Sequence, residues 1–96
     1  MFTSKFFDLG QVVVTRAINE AMKENNRLAL EISLALKRFC VMDWGNTSEE
    51  SKIMNDKAVL NNDDRIFAVY DTCKGKIWII TEWDRSATTV LFPSDY

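Results

Sequence analysis

The stretch Arg65-Ile66-Phe67-Ala68-Val69-Tyr70-Asp71-Thr72-Cys73, Lys74-Gly75, Lys76-Ile77-Trp78-Ile79-Ile80-Thr81-Glu82-Trp83, Asp84-Arg85-Ser86, Ala87-Thr88-Thr89-Val90-Leu91-Phe92 decides the fold. Three runs dense in β-branched and aromatic residues alternate with two tight connections. Lys74-Gly75 is a hairpin signal in which Gly75 supplies the positive φ, and Pro93 ends the third run. The pattern predicts a three-stranded antiparallel meander. Its period of two places Ile77, Ile79, Thr81 and Trp83 on one face and Trp78, Ile80 and Glu82 on the other. Both faces carry large apolar groups. One must pack on helices, and the other exposes Trp78 and Ile80, or Ile77 and Ile79, unless something covers it.

Upstream, the apolar period changes to that of helices. Leu9-Gly10-Gln11-Val12-Val13-Val14-Thr15 reads as a short strand, after which Thr15 caps a helix over residues 16–23 with Ala17, Ile18, Ala21 and Met22 on its apolar side. Asn25-Asn26 breaks it, and Asn26 caps a longer helix over residues 27–41. At ~100° per residue, Leu28, Ala29, Ile32, Ala35, Leu36, Phe39 and Cys40 form a core arc. Leu30, Leu34 and Val41 form a second stripe flanked by Arg27, Lys37 and Arg38. Either the N-terminal arm covers that stripe or it is an apolar contact surface with a basic rim. Gly45 in Met42-Asp43-Trp44-Gly45-Asn46 suits a left-handed position. Thr47-Ser48-Glu49-Glu50 has the capping-box pattern, with Thr47 as cap and Ile53, Met54, Ala58 and Leu60 inward on a third helix. The expected fold is α+β and one domain over residues 1–96: a short N-terminal strand and three helices packed on the C-terminal meander.

Composition narrows the chemistry. The chain has 96 residues, 12 basic and 14 acidic side chains and no histidine. Histidine-based nucleophile systems, acid/base pairs, metal sites and pH switches are therefore excluded. A formal net charge of -2 provides neither the basic excess of a simple nucleic-acid binder nor the acidic excess of a DNA mimic. No apolar run approaches the ~20 residues that span a bilayer, and residues 1–7 do not read as a signal peptide. Cys40 and Cys73 read as reduced thiols, with a Cys40–Cys73 disulfide as the alternative, and the reduced reading points to the cytoplasm. No cofactor and no metal are expected.

Asp43-Trp44-Gly45 with the Ser/Glu-rich helix start and Asn55, the block from Lys76 to Tyr96, and Leu9 to Thr15 together resemble a family of small proteins of bacteria, plasmids and phages. Its members are described as plasmid-related proteins and sometimes as a type I restriction endonuclease subunit M. The resemblance covers nearly the whole chain and departs from the family pattern at Trp83, usually alanine, and Arg16, often proline. It implies a mobile-element setting and a shared fold, not a reaction. A methyltransferase subunit needs a nucleotide-binding glycine motif and an Asn/Asp-Pro-Pro-aromatic motif, and a chain with three glycines and one proline has neither.

Two groups of candidate residues follow. An interface set comprises Leu30, Leu34, Arg38, Val41, Trp44, Trp78 and Ile80, since Trp and Tyr are favoured interface anchors. A polar cluster comprises Asp43, Glu82, Asp84, Arg85 and Thr88, with Ser86, Thr89 and Glu49 nearby. Carboxylates beside an arginine suit a metal, a phosphate or acid/base work, whereas the same residues are also ordinary turn and strand formers. The leading expectation is a non-enzymatic protein that binds a protein partner, a host defence complex, in the manner of an anti-CRISPR or anti-restriction inhibitor. A homodimer is expected as well. The alternatives are a metal- or nucleotide-binding module or enzyme using Glu82, Asp84 and Arg85, and a DNA-binding regulator using Arg16, Arg27, Lys37 and Arg38.

Overall fold

The computed structural model describes residues 2–96. The elements run β1 (Gln11–Val14), α1 (Arg16–Glu24), α2 (Asn26–Cys40), α3 (Glu49–Asn61), β2 (Ile66–Thr72), β3 (Gly75–Thr81) and β4 (Ala87–Leu91), with a 3-10 turn at Pro93–Asp95. This is the expected α+β class, with the predicted meander at β2–β3–β4. The sheet has four strands in the order β1-β4-β3-β2, because β1 joins β4 in parallel with Val12 beside Thr88 and Val14 beside Val90. The two side chains that lock this pairing are internal: the Thr88 hydroxyl donates to the Leu9 carbonyl at 2.7 Å and shares a second hydrogen bond with Thr81.

The local signals act largely as read. Thr15 Oγ1 accepts the Ile18 N–H, and Asn25 takes the cap of α2 by accepting the Leu28 N–H. The cap sits one residue earlier than expected because Asn25 is extended and Asn26 is already helical. Leu28, Ile32, Ala35, Leu36, Phe39 and Cys40 are buried against Ile66, Ala68, Tyr70, Ile77, Ile79 and Val90. Each buried Ile or Leu of this layer contributes roughly 1.5–3 kcal/mol. In the β2–β3 hairpin the turn falls on Cys73 and Lys74, and Gly75 follows at φ +93°.

The third helix departs from expectation. Thr47 is buried, with its hydroxyl donated to the Trp44 carbonyl and accepting the Val69 N–H, so the cap passes to Ser48. Helix α3 also lies beside β2 rather than across the sheet. Its inward residues are Asn55 and Ala58, while Ile53, Met54 and Leu60 are exposed. Asn55 explains the arrangement. Its side-chain amide donates to the Phe67 carbonyl at 2.7 Å and accepts the Phe67 N–H at 3.1 Å, which closes the edge of β2 as a further strand would.

The second face of the sheet is covered from within the chain. Residues 93–96 fold back, with Asp95 accepting from the Thr15 hydroxyl and the Phe92 N–H. Tyr96 meets Trp78 edge-on at 5.6 Å, Trp78 meets Phe67 at 5.1 Å, and Arg65 donates to the Tyr96 hydroxyl at 2.7 Å. Ile80 is buried and Trp78 is half-buried, so the expected exposed patch on this face does not form.

Candidate functional site

The polar cluster resolves into separate structural tasks. Arg85 occupies the β3–β4 turn at φ +61° and is 8% exposed. Its Nη1 donates to the carbonyls of Asp64 (2.7 Å), Glu82 (3.1 Å) and Trp83 (3.3 Å). Its Nη2 donates to those of Ala58 and Asp63, both at 2.9 Å. The cation thus closes the end of α3, where helix carbonyls carry partial negative charge, and ties that end to the turn. Asp84 Oδ1 accepts the Ser86 N–H at 3.0 Å, and hydrogen bonding from the Ser86 side chain and main chain holds the exposed carboxyl below its usual range. Glu82 is exposed, and Thr88 is buried in the β1 pairing. Among the described residues no ion pair and no hydrogen bond between side chains joins Glu82, Asp84 and Arg85 to one another; Arg85 reaches Glu82 only at its main-chain carbonyl.

Asp43 lies elsewhere, at the end of α2. Arg38 clamps it with two hydrogen bonds, Nε to Oδ2 at 2.8 Å and Nη2 to Oδ1 at 3.1 Å, and lies over the Tyr70 ring at 5.4 Å. The Arg38 guanidinium holds the Asp43 carboxyl below the usual range. The Tyr70 hydroxyl donates to the Asp43 carbonyl, and burial pushes that phenol far above its ordinary value. Both thiols are free: burial raises Cys40, and hydrogen bonding to Glu31 raises Cys73. A raised thiol is a poor nucleophile at neutral pH. Among the described residues no group of three or more Cys, Asp or Glu side chains is placed to hold a metal ion. No helix among them is long and apolar enough to cross a membrane.

The interface candidates divide. Trp44 is buried against Phe7 and Phe39, its indole Nε1 donating to Asp56 at 2.9 Å, and Ile80 is buried under the returning chain. Neither is available to a partner, a correction that follows from two segments the helix and strand patterns do not register. Leu30, Leu34 and Val41 are 61%, 50% and 62% exposed on the outer side of α2. The N-terminal arm does not cover them. It is held beside them, with Ser4 Oγ donating to the Cys40 carbonyl at 2.7 Å and Phe7 packed edge-on against Phe39. Between arm and helix runs a groove of about 440 Å³ lined by Phe2, Thr3, Ser33, Lys37, Cys40 and Val41. Trp83, at the far turn, is 68% exposed and lies outside the interface set read from the sequence; its place just beyond a strand end is the signal that marks it.

These features define a small α+β protein whose polar residues serve its own main chain and whose exposed apolar residues concentrate on helix faces. Comparison with models of known families, with curated proteins and with solved structures finds no match.

Proposed function

We propose that the chain is a non-enzymatic cytoplasmic protein that acts by binding another protein through the outer stripe of α2. The observation that carries this reading is the exposure of Leu30, Leu34 and Val41 on one helix face beside the groove at Lys37. Monomeric proteins seldom leave such stripes uncovered. Lys37 makes no ion pair among the described residues, and Arg27 and Arg38 flank the stripe. The matching partner surface is an apolar groove with an acidic rim, the usual way an amphipathic helix is received.

The resemblance to a mobile-element family supplies the partner class: a component of a host defence system, of CRISPR or restriction type, which the chain inhibits by occupying it. Pull-down from a host carrying such a system, followed by mass spectrometry, tests this. A defence subunit enriched by the wild-type chain and lost with Leu34→Asp, while Glu82→Gln retains it, supports the reading. Equal enrichment by wild type and Leu34→Asp removes α2 as the surface. Absence of any defence subunit removes the partner class.

A further inference from the structure

The two edges of the sheet are finished differently. At β2, Asn55 satisfies both main-chain groups of Phe67, Thr47 accepts the Val69 N–H, and the Asn46 N–H donates to the Val69 carbonyl at 2.8 Å. At β1 nothing comparable exists among the described residues. The N–H groups of Gln11 and Thr15 donate to Ser86 and Val90 of the β4 side, both at 3.1 Å. Alternation along the strand then turns the N–H and C=O of Val12 and Val14 to the opposite side. Among the described residues no hydrogen bond reaches them there. Leu9 to Thr15 also contains no charge and no proline, the devices that usually blunt an open edge.

We propose that this edge is an interface between two copies of the chain, paired antiparallel through β1. A two-fold axis at Val13 sets Val12 of each copy against Val14 of the other, so every outward N–H meets an outward C=O. The register follows from which groups face outward. Val13 lies on the same face as its partner Thr89, so the two Val13 side chains meet across the axis on the outer face. Val12 and Val14 lie on the helix face beside Thr88 and Val90 and extend the core across the junction.

The charges at the two ends of the strand favour a second copy. The uncharged run is bounded by exposed Asp8 at one end and at the other by exposed Arg16, which pairs with Glu20 at 3.1 Å on the surface of α1 and is open to exchange partners. Antiparallel pairing brings the Asp8 end of each copy toward the Arg16 end of its mate. The interface does not use Leu30, Leu34 or Val41 of the α2 stripe.

Light scattering at micromolar concentration, with hydrogen exchange at Val12 and Val14, tests the pairing. The wild-type chain is expected at twice its 11.1 kDa mass with both amides protected. Val12→Pro removes only an outward N–H, which edge strands tolerate, and is expected to halve the mass while circular dichroism is unchanged. Val13→Lys, which sets two like charges across the axis, is expected to do the same and decides the matter if the proline variant does not fold. Leu34→Asp is expected to leave the dimer intact. A wild-type chain of single mass overturns the proposal, as does a dimer that survives both β1 substitutions or one that Leu34→Asp dissociates.

Discussion

The Arg85 guanidinium donates to the carbonyl of Ala58 at 2.9 Å, joining a turn between two strands to the last turn of a helix 27 residues earlier. The same carbonyl accepts the Asp63 N–H at 3.2 Å, where the chain leaves α3 through left-handed Asn62. No carboxylate pairs with Arg85 among the described residues, and its Nε has no partner. The buried cation is therefore stabilised by carbonyl dipoles alone.

Arg85→Met keeps the bulk of the side chain and removes every donor. Hydrogen bonds to charged groups are worth about 1.5–3 kcal/mol, but relief of a buried charge offsets part of their loss, so a net cost of about 2 kcal/mol is expected. Arg85→Lys should recover part of it, since an ammonium reaches fewer of the same carbonyls. Urea unfolding midpoints check the order: wild type, lysine, methionine. A methionine variant as stable as wild type would show that the staple contributes nothing.

Asn55 is the matching device at the β2 edge. Asn55→Ala leaves the Phe67 N–H and C=O without their protein partner, and a buried group so orphaned costs about 1–3 kcal/mol. The Phe67 amide should exchange faster in this variant by more than the global loss of stability explains. Asn55→Asp keeps the acceptor and loses the donor, so it should fall between wild type and alanine at neutral pH or below alanine if the charge is repelled by the carbonyl. Native-state hydrogen exchange separates these outcomes.

Gly10 and Gly75 both sit at positive φ, yet their surroundings differ. A Cβ on Gly10 (φ +63°) falls on the main-chain carbonyls of Arg85 and Ser86, whereas one on Gly75 (φ +93°) meets nothing. A left-handed alanine costs roughly 1–2 kcal/mol wherever it is placed. Gly75→Ala should show about that loss. Gly10→Ala should show clearly more, because β1 must move from β4 to admit the methyl group. Thermal unfolding of the pair checks this; equal losses would mean that the β1–β4 junction yields freely.

What the sequence discloses here is mostly short-range. The Thr15 cap, the core arc of α2 and the meander all depend on residues a few positions apart. The parallel β1–β4 pairing spans most of the chain, and its lock, Thr88 on Leu9, looks in sequence like any strand threonine. On α3 the apolar residues Ile53, Met54 and Leu60 invite an inward reading, but an edge strand needs hydrogen-bonding partners more than it needs bulk, and Asn55 supplies them. Arg85 reads as a turn residue or a ligand for anions. Its one local oddity is a positive φ at a position without glycine or asparagine, a conformation held by the contacts of its side chain. The candidate interface is half legible: the Leu30, Leu34 and Val41 stripe follows from helical period alone, whereas the burial of Trp44 and Ile80 depends on the arm and on residues 93–96.

The Arg38–Asp43 pair predicts how stability responds to acid. The folded chain holds the Asp43 carboxyl below its usual range through Arg38 and the Gly45 N–H. Its folded pKa is thus lower than that of the unfolded chain, ~3.9 for a free aspartate. Stability from the pair is then fully present above that value and is lost as pH falls through the folded pKa. Both side chains are about half exposed, so water and salt screen the pair and the effect is small. Asp43→Asn should lower the melting temperature modestly near neutral pH, and its curve should converge with wild type on acidification because a protonated aspartate resembles asparagine. Added salt should narrow the neutral-pH gap. Melting curves from neutral pH down through the carboxylate range, at low and high salt, decide it: a gap independent of pH and salt would assign the loss to packing at Tyr70 rather than to charge.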